Sequence, residues 1–165
     1  ILTMQALGLP DDQQQPITIE ADQAFYNEKT GLTEYRGNVF LQQGSLKVSA
    51  DALTVKQNAS NQQVEQLVAK GRPATFEQKP ELNQETVHAK AQLITYNVLG
   101  QDVLLEHNAV LHQGQAKISS DKISYSAEKQ LFKAEQQNDN AKPSTGRVHV
   151  TLPPPAKKPN KKSAP

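Results

Sequence analysis

The side chains of this 165-residue sequence that could do chemistry are four histidines and scattered carboxylates, and their spacing matches neither a catalytic nor a metal-binding pattern. His107 and His112 lie five residues apart, which places them on opposite faces of a regular strand. The chain has no cysteine, and no carboxylate stands at a spacing that would complete a zinc site. Phosphate-binding, dinucleotide-binding, zinc-protease and nucleophile-elbow motifs are missing. The sequence therefore predicts a protein that is not an enzyme, with no catalytic residue, no metal and no cofactor.

Two carboxylates, Asp51 and Asp121, occupy the same place in a phrase that the chain contains twice. GNVFLQQGSLKVSADALTV (37–55) and HNAVLHQGQAKISSDKISY (107–125) align without a gap. Aspartate is favoured at irregular backbone, because its side chain accepts hydrogen bonds from nearby N–H groups. We therefore predict that both aspartates bond backbone N–H groups at a bend, rather than acting as catalytic carboxylates. The copies are identical at Asn38/Asn108, Leu41/Leu111, Gln43/Gln113, Gly44/Gly114, Lys47/Lys117, Ser49/Ser119 and Asp51/Asp121.

The elements that position these residues are predicted to be β-strands, because apolar and polar residues alternate and no helical period is sustained. Val39 and Leu41 face one way, and Leu46 and Val48 repeat the alternation after QQGS. Gly44 stands where a tight hairpin needs a residue with positive φ, which glycine adopts readily. HQGQ (112–115) is predicted to form the equivalent turn in the second copy.

A shorter phrase occurs four times, at residues 17–26, 46–55, 87–96 and 116–125, and its apolar positions change parity in the middle. A regular strand keeps a period of two, so one extra residue must be inserted as a β-bulge or bend. Aspartate occupies the switch in three copies and Gln92 in the other. The sequence thus predicts two successive units of kinked strands and hairpins, with polar loops at 58–63, 78–84 and 136–144.

Length and composition predict one folded domain at residues 15–152 between two different ends. Residues 1–14 begin with an uncharged, apolar stretch typical of the end of a secretory signal peptide, and an ordinary N-terminal extension is the alternative. Residues 153–165 are rich in Pro and Lys and are predicted to be a disordered tail. Without the four lysines of that tail, 14 basic and 17 acidic residues remain, so no nucleic-acid surface is predicted. No run approaches the ~18 apolar residues of a membrane span.

The alternation predicts one apolar face shared by the repeated strands. Sheets that each expose an apolar face must stack or close on each other, and the kinks let long strands curl into a twisted sandwich, jelly roll or partly open barrel. The face is then either an ordinary core or an apolar trough, and the low aromatic content of 5% favours the trough. Its members are Ile17, Ile19, Val39, Leu41, Leu46, Val48, Phe76, Tyr96, Val103, Leu105, Leu111, Ile118, Val148 and Val150.

Four stretches resemble the LptA/OstA-like family: PITIEADQA (16–24), YRGNVFLQQGSLKVSADAL (35–53), GRPATF (71–76) and LHQGQAKISSDKISY (111–125). The resemblance covers about residues 15–152. It implies an all-β fold, a twisted β-jelly roll of two antiparallel sheets that is open at both ends. The second copy departs from the family phrase where His107 replaces Gly37 and where Gln92 replaces aspartate. These departures leave the local turn geometry open.

The resemblance also implies a periplasmic protein of Gram-negative outer-membrane biogenesis that carries lipopolysaccharide from the inner to the outer membrane. The expected partners are lipopolysaccharide, an inner-membrane LptC-like protein, an outer-membrane LptD-like translocon and further copies of the same chain, joined head to tail in an oligomer. The acyl chains are expected to contact Ile17, Ile19, Val39, Leu41, Leu46, Val48, Phe76, Tyr96, Leu105, Leu111 and Ile118. The partner-binding edges are expected at Ile17, Ile19, Arg147, Val148 and Val150.

Two alternatives stay open at this point. The chain could be the OstA-like soluble domain of a membrane-anchored component of the same transport system, which the short length and the missing membrane span disfavour. It could also be a carbohydrate-binding β module, which would need a cluster of acidic or aromatic residues on one exposed face. The sequence shows no such cluster.

Overall fold

The structure, a computed structural model, describes residues 15–79, 82–100, 102–126, 129, 131–136 and 147–154. All the regular secondary structure in these ranges is β. No helix within them is long and apolar enough to cross a membrane. The strands are β1 Thr18–Glu20, β2 Gln23–Asn27, β3 Leu32–Gln43, β4 Leu46–Gln57, β5 Val64–Gln78, β6 Val87–Asn97, β7 Asp102–Gln113, β8 Ala116–Ser126, β9 Leu131–Glu135 and β10 His149–Thr151.

The ten strands form one antiparallel sheet. Its order is β1-β3-β4-β5-β6-β7-β8-β10, with β2 also paired to β3 and β9 also paired to β8. Two short strands therefore share one long strand at each end of the sheet. At the first end, β1 pairs with residues 40–42 of β3 and β2 pairs with residues 32–36. At the last end, β10 pairs with residues 117–119 of β8 and β9 pairs with residues 122–126.

The six long strands, β3 to β8, run through two half-sheets. We call the side with β1 and β10 the lower half-sheet and the side with β2 and β9 the upper half-sheet. Buried residues of both, such as Leu41 below and Leu53 above, belong to one hydrophobic cluster, so the half-sheets face each other. This arrangement is the predicted twisted jelly roll of two antiparallel sheets. It is not closed, because β1 and β2 form no ladder with β9 and β10 in the described ranges.

The bend between the half-sheets lies at the predicted kinks. The ladder of β3 and β4 shifts register so that Gly37 and Asn38 together face Asp51. Both residues on the bulged strand have positive φ, 80° for the glycine and 46° for the asparagine. Glycine adopts this region without steric penalty, and asparagine tolerates it better than most residues. Gln92 lies at the matching shifts of β6 against β5 and β7, so the predicted bulges are confirmed.

The second copy of the repeat builds the same bulge from a different residue pair. His107 and Asn108 face Asp121 at the register shift between β7 and β8. Their φ angles are 67° and 54°. His107 thus adopts the left-handed backbone that glycine adopts in the first copy. The turn geometry that the sequence left open is therefore the same in both copies.

The prediction that Asp51 and Asp121 bond backbone N–H groups is wrong. The Asp51 carboxylate instead lies 3.7 Å from Arg72 Nε, and both side chains are mostly in solvent. No backbone N–H of the described residues donates to either carboxylate. The reason is that the irregular backbone belongs to the strand with two residues at the bulge. Each aspartate lies on the partner strand and is the single residue that faces the two bulge residues.

The first kink is held instead by Asp22, which lies between β1 and β2. Its backbone N–H donates to the Gly37 carbonyl at 2.9 Å. Its carboxylate accepts a hydrogen bond from Asn38 Nδ2 at 3.1 Å. A Cβ atom on Gly37 would overlap the Asp22 side chain. Position 37 therefore requires glycine both for its φ angle and for the space around it.

The turns and loops follow the sequence closely. Two-residue hairpins at 44–45 and 114–115 each begin with a glycine of positive φ, 58° and 59°. The 58–63 loop is confirmed, and around the loop predicted at 78–84, β5 ends at Gln78 and β6 begins at Val87. The first and last strands, β1 and β10, are only three residues long each. Residues 1–14, 137–146 and 155–165 lie outside the described residues, and with them the predicted signal-peptide end, most of the third loop and the tail.

Candidate functional site

An apolar row that crosses eight strands lies on the inner face of the lower half-sheet. Directly paired residues of neighbouring strands point to the same face, so a row of such pairs forms a continuous strip. We call this strip the lower row. From β1 to β10 it consists of Ile19, Leu41, Val48, Phe76, Ala89, Leu111, Ile118 and Val150.

Two further rows cross the inner face of the upper half-sheet from β2 to β9, and members of all three rows belong to the same hydrophobic cluster. The first upper row consists of Ala24, Tyr35, Leu53, Ala69, Ile94, Leu105, Ile123 and Ala134. The second upper row consists of Tyr26, Thr33, Val55, Leu67, Tyr96, Val103, Tyr125 and Phe132.

The packing between the half-sheets changes along the rows. In the N-terminal strands, Leu41, Val48, Leu53 and Val55 are each at most 6% exposed. Between β5 and β9 an apolar cavity of about 70 Å³, partly open to the surface, lies between the half-sheets. It is lined by Phe76, Gln78, Val87, Ala89, Val103, Leu105, Leu111, Gln113, Ile123, Tyr125 and Phe132.

Phe132 of β9 forms the rim of this cavity. Its side chain lines the cavity although the residue is 52% exposed. Its ring centroid lies 4.3 Å from that of Tyr125, with the rings tilted by 31°. On the lower side, Gln113 Nε2 donates to the Glu85 carbonyl at 2.9 Å, so this amide is engaged by the loop before β6.

The lining can bind hydrocarbon but offers little chemistry. It contains no carboxylate, imidazole or ammonium group, and its one titratable side chain is Tyr125. Nothing in it can act as a general base or an activated nucleophile near neutral pH. Nearby in the second upper row, burial raises the pKa of the Tyr96 phenol. The interior therefore stays uncharged.

Comparison with known proteins is consistent with this geometry. A family model described as LptA/(LptD N-terminal domain) LPS transport protein matches residues 18–131, which is more than half of the chain. The chain belongs to this family. The match begins at β1 and ends at the first residue of β9, so it covers the six long strands of both half-sheets but neither Phe132 nor β10.

Individual members of the LptA/LptD N-terminal domain family are similar over most of the chain. Lipopolysaccharide export system protein LptH of Pseudomonas aeruginosa is 36% identical over 129 residues, covering 78% of this chain and 73% of LptH. Lipopolysaccharide export system protein LptA of Escherichia coli K12 is 33% identical over 129 residues, covering 78% of this chain and 69% of LptA. The crystal structure of P. aeruginosa LptH, described as the periplasmic component of a lipopolysaccharide transport device, superimposes with a TM-score of 0.76 at 31% identity, covering 88% of this chain and 100% of that one.

The structure brings most of the predicted lipid-binding residues into the interior. Three of them, Phe76, Leu105 and Leu111, line the cavity. Ile17 precedes β1, is half exposed and lies outside the hydrophobic cluster. Six are buried, namely Val39, Leu41, Leu46, Val48, Phe76 and Leu105. Four are half-buried against the cluster, namely Ile19, Tyr96, Leu111 and Ile118.

Seven cavity residues were missed by the sequence prediction: Gln78, Val87, Ala89, Gln113, Ile123, Tyr125 and Phe132. A signal was present for Ile123 and Tyr125, because they end the fourth copy of the repeated phrase on the parity of its buried positions. Phe132 lies outside the repeat, and only its pairing with Tyr125 across β8 and β9 brings it to the cavity.

The predicted partner-binding residues lie at the two edges of the lower half-sheet. Ile19 of β1 pairs with β3 and Val150 of β10 pairs with β8, so each short strand bonds within its own domain. Among the described residues, β1 and β10 are each hydrogen-bonded to another strand on one side only. Ile17, Arg147, Val148 and Val150 are exposed at these edges.

Two histidines form a pair on the outer face of the lower half-sheet. His88 and His112 are direct partners across β6 and β7, with ring centroids 4.8 Å apart and nearly parallel planes. His88 Nδ1 lies 3.2 Å from Glu77 Oε1. Partial burial, followed by the nearby His88, Lys117 and Lys90, lowers the pKa of His112. No group of three or more potential metal ligands occurs in the described ranges.

Proposed function

We propose that this protein is a periplasmic lipopolysaccharide carrier, which shelters the acyl chains between its half-sheets and passes the lipid from the inner towards the outer membrane. The observation that carries the proposal is the set of three rows, which run without a charged side chain from the β1/β2 edge to the β9/β10 edge. The relatives named as lipopolysaccharide export proteins support it.

The physical need for such a path is large. Exposing an acyl chain of about a dozen carbons to water costs on the order of 10 kcal/mol, at about 0.8 kcal/mol per CH₂ group. A lipid with several chains therefore crosses an aqueous compartment slowly unless it is covered. An apolar strip that extends over the whole width of the sheet removes this cost along the path. Because the rows contain no charge, no single position holds the lipid strongly enough to stop it.

The two edges of each half-sheet support head-to-tail self-association. If β10 adds β1 of a second copy and β9 adds its β2, each row continues into the next protomer. The row ends Val150 and Phe132, 55% and 52% exposed, are then covered. Unpaired strand edges are known to recruit further strands. The same edges suit an inner-membrane LptC-like partner at the first end and an outer-membrane LptD-like translocon at the last.

Photo-crosslinking to lipopolysaccharide tests the proposal. A photoreactive residue is placed at Tyr96, in the second upper row, and in a separate variant at Gln42, which is exposed and pairs with Thr18 and Lys47 away from the inner face. We expect labelled lipopolysaccharide to be captured at position 96 and at most weakly at position 42. Equal capture at both positions, or none at position 96, would refute the proposed interior path.

A further inference from the structure

The cavity lies where the lower row contains its single small residue. Seven members of that row carry side chains of valine size or larger, and Ala89 lies between Phe76 of β5 and Leu111 of β7. All three line the cavity. Ala89 is nonetheless 4% exposed, so the missing side-chain volume lies inside the protein and not at its surface.

A void of this kind is unusual in a protein interior. Cores pack to the density of organic crystals, and the atoms around an empty space lose their contacts on one side. A branched residue at position 89 would provide much of the missing volume. The first upper row also contains a buried alanine, Ala69, between Leu53 and Ile94. That alanine is 3% exposed and does not line the cavity.

We propose that Ala89 keeps the C-terminal half of the interior open for the end of one acyl chain, and that the size of residue 89 determines the chain length accepted there. This inference rests on the proposed function. The lining suits a hydrocarbon chain, because its volume is only about 70 Å³ and its polar side chains, Gln78, Gln113 and Tyr125, are uncharged. In a single protomer the Phe132 ring, which lines the cavity, is half exposed.

The proposal predicts that a larger residue at position 89 stabilises the protein and weakens its binding of acyl chains. Filling an empty cavity with a larger apolar side chain commonly stabilises a protein, whereas adding volume to a filled core destabilises it. Ala89→Ile should therefore raise the thermal midpoint by about 2–4 °C, and Ala69→Ile should lower it. The smaller change Ala89→Val should act in the same direction as Ala89→Ile. It replaces the isoleucine variant in the test if that variant does not fold.

Binding is measured with lipopolysaccharide and with saturated fatty acids of increasing length, by displacement of a fluorescent fatty acid from the full chain. Ala89→Ile should weaken binding of the longer acids about tenfold and of the shortest acids much less. Thr75→Ile, half-buried on the outer face of β5 opposite Ser49 and Lys90, is the control that should bind like the wild type.

Two results overturn the inference while the proposed function stands: Ala89 variants that bind every acid as the wild type does, or Ala89 variants that lose stability as Ala69→Ile does. A wild-type protein that binds neither lipopolysaccharide nor fatty acids overturns the proposed function and the inference together. Stabilised Ala89 variants with length-dependent loss of binding establish the inference.

Discussion

His107 adopts a φ of 67° at the bulge of β7, where Gly37 adopts a φ of 80° at the equivalent bulge of β3. Residues other than glycine enter the left-handed region at a cost of roughly 1–2 kcal/mol, although asparagine, aspartate and histidine do so more often than other residues. In the second copy of the repeat, His107 therefore adopts a backbone conformation that histidine disfavours. The bend is imposed by the ladders on both sides of β7, which fix residues 102–106 and 109–113.

Substitutions at these two positions should have opposite effects on stability. We expect His107→Gly to raise the free energy of unfolding by about 0.5–1 kcal/mol, because the relief of strain exceeds the added freedom of the unfolded chain. Gly37→Ala should lower it by about 1–2 kcal/mol or more, since the new Cβ also meets Asp22. Urea unfolding with an unchanged m value measures both. A destabilised His107→Gly variant contradicts the account of the bulge.

The kinks show what the sequence could and could not predict about the fold. Alternation and its change of parity are local, so strands, hairpins and the position of each bend follow from the printed residues. The sequence did not show which strand would contain the irregular backbone, because that depends on pairing between strands. Asp51 occupies the parity switch, yet the positive φ angles belong to Gly37 and Asn38 opposite it.

The interior, too, could be predicted from the sequence only in part. Parity placed Phe76 and Leu111 on the inner face, where the structure has them. The cavity depends on Ala89 lying between these two residues across three strands. That relation joins positions far apart in the chain, so no local pattern contains it. Phe132 reaches the rim through the short strand β9, for which the repeat gave no signal.

Asp51→Ala tests the corrected role of the aspartate. The carboxylate is 65% exposed and its partner Arg72 is 90% exposed. Exposed ion pairs contribute about 0–1 kcal/mol. We therefore expect a change of less than about 0.5 kcal/mol in the free energy of unfolding, measured by urea denaturation. A loss of 1–2 kcal/mol, the usual effect of an unsatisfied buried group, would restore the backbone-bonding role.

His112 should make stability depend on pH. Burial, His88 and the lysines at 117 and 90 lower its pKa below the ordinary 6.5. The unfolded chain therefore binds this proton at higher pH than the folded chain does. Stability is then highest above about pH 6.5 and falls as the pH drops through the folded-state pKa. This window lies above the range in which ordinary carboxyl groups titrate.

Thermal midpoints of the wild type and of His112→Gln, recorded between about pH 7.5 and about pH 5.5, measure this effect. The wild type should lose stability toward acid pH, and the variant should lose less. Identical slopes for the two proteins would show that His112 does not contribute.

Removal of β10 tests the assembly edge. A chain ending at Gly146 lacks Val150 and exposes Ile118 at the edge of the lower half-sheet. We expect this variant to sediment as a monomer at concentrations where the whole chain self-associates. A chain ending at Pro154 keeps β10, loses the basic tail, and should self-associate normally. Persistent association without β10 would place the interface elsewhere, and retained lipid capture at position 96 shows that the variant folds.

The most direct test of the apolar interior is a photo-crosslinking scan along β6, residue by residue, with labelled lipopolysaccharide. The inner positions, which should capture the lipid, are Val87, Ala89, Ile94 and Tyr96. The outer positions, which should not, are His88, Lys90, Leu93 and Thr95. Capture should therefore alternate, and its parity should change once, at Gln92 where the strand bends. Capture at outer positions as strong as at inner ones, or an alternation that continues through residue 92 without a change, would contradict a lipid path between the half-sheets.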